Sequence, residues 1–160
     1  MKVALVIVSV TALTALAISC AGSPPTPTSP SSQPLGFAGT WNGTGVDSQG
    51  ATTVTWSLTG TGASVSGTVT TQAVDPNDGS CNSCHRNKRG TVSGTISGTK
   101  LTLAMFFAAG VNGDPTPACS ATVTGTASST GEGTLAGEYS GADTCEGPFT
   151  NGTLVMARRP

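Results

Sequence analysis

Glycine recurs at the centre of short alternating segments, and that pattern leaves the chain few folds to choose from. Val65-Ser66-Gly67-Thr68-Val69 returns as Val92-Ser93-Gly94-Thr95-Ile96, as Val123-Thr124-Gly125-Thr126-Ala127 and as Leu135-Ala136-Gly137-Glu138-Tyr139. A period of two puts each glycine between two apolar residues on one face of a strand. Such a glycine weakens an isolated strand, but it permits the sharp coiling and close backbone approach that a small barrel needs. Leu101, Leu103, Met105 and Phe107 alternate with Thr102, Ala104 and Phe106, again presenting one apolar face.

Segments of this kind, separated by turn residues, predict strands over 38–46, 52–59, 64–71, 90–97, 100–107, 120–125, 133–140 and 153–158. Asn112-Gly113-Asp114-Pro115 and Asn151-Gly152 read as turns between them. Val and Thr recur where helix formers are sparse, so an all-β antiparallel domain is expected, as a barrel or a β-sandwich. The domain opens with Gly39-Thr40-Trp41 and closes with Leu154-Val155-Met156-Ala157-Arg158. Here the chain resembles the calycin superfamily (lipocalins, avidins and relatives), meander barrels of about eight strands. Those families open on a Gly-x-Trp strand, and many stack a basic residue from near the last strand on that Trp. The resemblance implies a calycin-like meander barrel over residues 37–160, with Trp41 and Arg158 as its closing pair. The strand pattern alone leaves the sandwich as the alternative.

Ahead of this domain, Met1 and Lys2 precede an uncharged apolar run over residues 3–18, then Ser19-Cys20-Ala21-Gly22-Ser23. A spanning helix needs about 20 apolar residues, so the run reads as a cleaved targeting segment. It resembles a bacterial lipoprotein signal peptide. That resemblance implies removal of residues 1–19 and lipidation of Cys20, with palmitate among the acyl chains. One departure is Ala17, where the family usually has Leu. An ordinary secretory signal cut near Ala17 is the alternative, and both readings export the protein. Ala21 follows the cysteine where Asp would retain the anchor at the inner membrane; in a two-membrane host this favours the outer membrane. Residues 20–36 are rich in Pro, Ser and Thr and poor in apolar side chains, so they form a lipid-anchored tether and not a core.

Export sets the redox compartment. With Cys20 lipidated, four of five cysteines remain: Cys81, Cys84, Cys119 and Cys145. Outside the cytoplasm such thiols pair, and four allow three connectivities. The arrangement favoured is Cys81–Cys84 with Cys119–Cys145, the latter closing a loop of about 25 residues for about 3–4 kcal/mol. Cys81-Asn82-Ser83-Cys84-His85 also matches the haem attachment signature of c-type cytochromes. In that reading Cys81 and Cys84 bond the haem, His85 binds iron, Met105 or Met156 supplies the sixth ligand, and Arg86, Lys88 and Arg89 face the propionates. Against it, the surrounding loop is polar and offers no apolar wall. The favoured expectation is therefore structural disulfides without a cofactor, with haem c as the alternative. No second Cys/His pair completes a zinc site.

Catalytic motifs are lacking. With one histidine, a nucleophilic triad would have to use His85, and no nucleophile-elbow motif is present. Glu132, Glu138, Asp143 and Glu146 read as a solvated face, and residues 143–148 as a loop pinned by a disulfide. A net charge of −1 with 9% charged residues gives no basic field for nucleic acid. The expectation is a non-enzymatic, monomeric envelope lipoprotein. It would be held to the membrane by its N-terminal lipid and be structural or bind a small ligand or an envelope partner. The runner-up is a haem-carrying electron-transfer domain.

Overall fold

The computed structural model describes residues 36–74, 87–110 and 119–160. They form eight strands: β1 (Gly39–Asp47), β2 (Gly50–Thr61), β3 (Ser64–Ala73), β4 (Arg89–Ser97), β5 (Lys100–Phe107), β6 (Ala121–Gly131), β7 (Thr134–Asp143) and β8 (Gly147–Arg158). Each pairs antiparallel with the next, and β8 returns to pair with β1, so the sheet closes into a barrel. The closing ladder runs from Trp41↔Arg158 to Val46↔Thr153. A sandwich would leave those two edges unpaired; closure removes them.

The glycine repeat has a steric cause. A Cβ on Gly67 would meet the carbonyl oxygen of Ser57, and one on Gly94 that of Thr102. Gly125 faces the Glu138 carbonyl and Gly137 that of Thr126 in the same way. At each repeat the neighbouring strand comes closer than any side chain permits, and this tight coiling is what lets eight short strands close.

Inward positions fill the barrel. Trp56, Phe107, Phe149, Leu101, Leu135 and Met156 are fully buried and belong to one cluster with Trp41, Phe37 and the inward valines. Each large apolar side chain contributes about 1.5–3 kcal/mol by leaving water. At one end the Trp41 indole Nε1 donates to the Phe37 carbonyl at 2.8 Å, and the Arg158 guanidinium lies over the ring. The β2–β3, β4–β5 and β6–β7 turns share that end. Gly62 and Gly98 each take φ +59° at the first turn position, as a type II′ hairpin requires. The C-terminal ends of β1, β3, β5 and β7 and the starts of β2, β4, β6 and β8 gather at the opposite end, the mouth.

Two strands outrun their sequence signals furthest, each by six residues. β6 continues past Gly125 to Gly131, and β8 begins at Gly147 instead of Thr153. Asn151-Gly152 is therefore no turn. Asn151 adopts φ 56° inside β8, where the register with β7 shifts between Tyr139 and Gly141. This bulge absorbs one residue, so Phe149 and Gly152 both face inward despite their odd spacing.

Candidate functional site

The mouth is lined by polar side chains held against one another. Lys88, in the segment returning to β4, is buried together with Asp143 at the end of β7. Lys88 Nζ lies 3.6 Å from Asp143 Oδ2 and donates to the Cys119 carbonyl at 3.0 Å. Asp143 Oδ1 accepts from the Cys145 N–H at 2.8 Å. Cys119 and Cys145 form a disulfide with a Cα–Cα separation of 5.6 Å, tying the entry to β6 to the β7–β8 turn. The carbonyl and amide that hold the buried ion pair thus belong to the two bridged cysteines. Reading Asp143 as part of a solvated face is corrected here: it is buried at the mouth, as is Lys88.

A second polar contact crosses the inner wall. Tyr139 Oη donates to Asp47 Oδ2 at 2.7 Å, its ring lying where side chains on Gly152 and Gly45 would collide with it. Burial, and then the hydrogen bond to Asp47 and its charge, push the phenol well above its ordinary value near 10. The donor atoms of Cys119, Asp143 and Cys145 lie within 4.8 Å of one another. Two of the three are sulfurs bonded to each other, so they do not act as thiolate ligands.

The interior is packed, and a concavity lies on the outside of the barrel. A furrow of about 1130 Å³ runs across the strands along one register row. Its floor is the backbone of Val65, Gly94, Leu103, Gly125, Tyr139 and Gly152, successive cross-strand partners from β3 to β8. Their side chains point inward or are absent. One wall is the outward row Ser64, Thr95, Thr102, Thr126, Glu138 and Thr153; the other carries Ser93, Ala104, Thr124 and Ser140. At about 4.8 Å between strands, six strands give a path of about 24 Å. Hydroxyls line it, and Glu138 is the one charge among the described residues along it.

Cys119, Cys145, Trp41 and Arg158 fall at opposite ends of the barrel, the first pair bridged and the second stacked. Cys20, Cys81, Cys84 and His85 lie outside the described residues. Met105 and Met156, the sixth-ligand candidates of the haem reading, are both inside the core cluster. Sequence reasoning missed the furrow, because its two walls exist only once the strand register is known.

No family model matches the chain, and no curated protein matches it. Among solved structures it is similar to the redesigned β-barrel mFAP1 bound to DFHBI, with a TM-score of 0.52 and 12% identity over 76% of this chain and 94% of that one. It is also similar to EF1p2_mFAP2b bound to DFHBI, with a TM-score of 0.54 and 12% identity over 76% and 93%. At such identities the likeness shows the closed antiparallel barrel and nothing finer.

Proposed function

We propose that this chain is an exported envelope lipoprotein, non-enzymatic and monomeric, whose barrel binds an extended hydroxyl-rich ligand, a glycan strand, along the outer furrow. Cys20 carries the lipid, residues 20–36 form the spacer, and the domain of residues 37–160 stands off the membrane, the outer one in a two-membrane host. The furrow carries the reading. It is long, concave, lined by hydroxyls that both donate and accept, and nearly free of charge. Its barrel neighbours hold a small molecule, DFHBI. In this chain Trp56, Phe107 and Phe149 occupy the inside, which directs a ligand to the wall. Neutral hydrogen bonds contribute about 0.5–1.5 kcal/mol each, so binding is modest per site and gains from many copies on one surface.

Co-sedimentation of the purified domain with insoluble cell-wall polysaccharide tests this. Wild type is expected in the pellet, Thr124→Arg, which blocks the furrow, in the supernatant, and Thr44→Arg, on the outer face of β1, in the pellet. Equal recovery of all three in the supernatant, or of all three in the pellet, would reject the furrow as the site.

A further inference from the structure

Lys88 and Asp143 are placed for a reaction with each other. Their side chains are 1% and 0% exposed, and Nζ stands 3.6 Å from Oδ2. The carboxylate is asymmetric: Oδ1 accepts the Cys145 N–H, while Oδ2 accepts no hydrogen bond from the described residues. The amine is aimed by the Cys119 carbonyl, and its backbone is fixed by a reciprocal pair with Thr71: the Lys88 N–H donates to Thr71 Oγ1, and the Thr71 N–H donates to the Lys88 carbonyl.

We propose that Lys88 and Asp143 condense to an intramolecular amide that joins the start of β4 to the end of β7. A proton passes from the ammonium to Oδ2, leaving a neutral amine beside a carboxylic acid. The Nζ lone pair attacks Cγ, and the negative charge that develops on Oδ1 falls on the Cys145 N–H, already in hydrogen-bond position. A second proton moves from Nζ to Oδ2, the Cγ–Oδ2 bond breaks, and Oδ2 leaves as water. The ammonium loses two hydrogens and the carboxylate one oxygen, so atoms and charge balance with no oxidant or co-reactant.

Two physical terms favour the product. Burying an ion pair carries a desolvation penalty that Coulomb attraction does not reliably repay, and the amide removes both charges. Fixed geometry replaces an encounter between separate groups, which raises the effective concentration of amine at the carboxyl. The product also keeps the two hydrogen bonds named above: its N–H still donates to Cys119, and its carbonyl oxygen, the former Oδ1, still accepts from Cys145. The bond would stand beside the Cys119–Cys145 disulfide as a second, redox-independent bridge at the mouth.

Peptide mapping of the full chain decides the matter. After unfolding, reduction, alkylation and trypsin, fragment 87–89 is expected joined to fragment 101–158, lighter than their sum by one water. Lys88→Arg is expected to release 101–158 at its sequence mass. Recovery of 101–158 from wild type as a separate fragment would overturn the proposal. A water-deficient 101–158 not joined to 87–89 would do the same, since that marks dehydration within one fragment.

Discussion

Arg158 and Trp41 are cross-strand partners at the β1–β8 seam, and the guanidinium carbon sits 4.9 Å from the centroid of the indole ring. The contact is made where the first and last strands meet, so it forms only when the barrel closes. On the other side, the same indole donates to the Phe37 carbonyl, which fixes the entry of the chain into β1.

The pair should therefore be coupled. Arg158 is exposed, so the low end of the cation–π range applies, about 0.5–1 kcal/mol. In urea unfolding of Trp41→Leu, Arg158→Ala and the double variant, the two effects are expected to fall short of additivity by that amount. Strict additivity would mean that the stacking contributes nothing.

Glycine substitutions should separate by what the new methyl group meets. Gly125→Ala drives a Cβ into the Glu138 carbonyl and to 2.9 Å from Tyr139 Cβ, whereas at Gly60 the nearest atom is 3.6 Å away. We expect Gly125→Ala to cost about 3 kcal/mol through overpacking. Gly60→Ala should be neutral or stabilise by up to about 1 kcal/mol through the unfolded chain. Chemical denaturation of the two variants checks the contrast.

Removing the Cys119–Cys145 bridge, whose sequence separation is 26, should cost about 3–4 kcal/mol in the loop-entropy picture. The Cys119→Ala, Cys145→Ala double variant is expected to unfold at markedly lower denaturant. An unchanged midpoint would show that the mouth is held by its other contacts alone.

Tyr139 is the single tyrosine, so absorbance reports it directly. Its phenol should remain protonated in the folded protein when a denatured sample has already ionised near its ordinary value of 10. Above that pH the unfolded chain has released a proton that the native state retains, so stability falls as pH rises from there towards the raised native value. Below it the contribution is complete. Tyr139→Phe should lose about 1.5–3 kcal/mol near neutrality with its hydrogen bond to a carboxylate, and it should remove this part of the alkaline slope.

Much of the barrel is legible in the chain, because period-two alternation and the glycine repeat are local signals. The Leu101–Phe107 alternation gives β5 with its inward face correct. The first half of β8 is not legible: Pro148 and Asn151 are turn residues by composition, and only the bulge opposite Ser140 makes them strand. Lys88 sits in the run Arg86-Asn87-Lys88-Arg89, which reads as solvated; its burial depends on Asp143, brought across from β7 by closure. The furrow is equally hidden, since Thr102, Thr126 and Thr153 form one wall only through cross-strand register.

The central claim is that ligand meets the outer wall of a filled barrel. Titrating a ¹⁵N-labelled domain with a soluble cell-wall hexasaccharide while following amide and indole resonances tests it most directly. The account predicts shifts along the floor row, at the amides of Gly94, Gly125 and Gly152, with the buried Trp41 and Trp56 indole N–H signals unmoved. Shifts of those two indoles with the glycine row silent would place the ligand inside the barrel and contradict it.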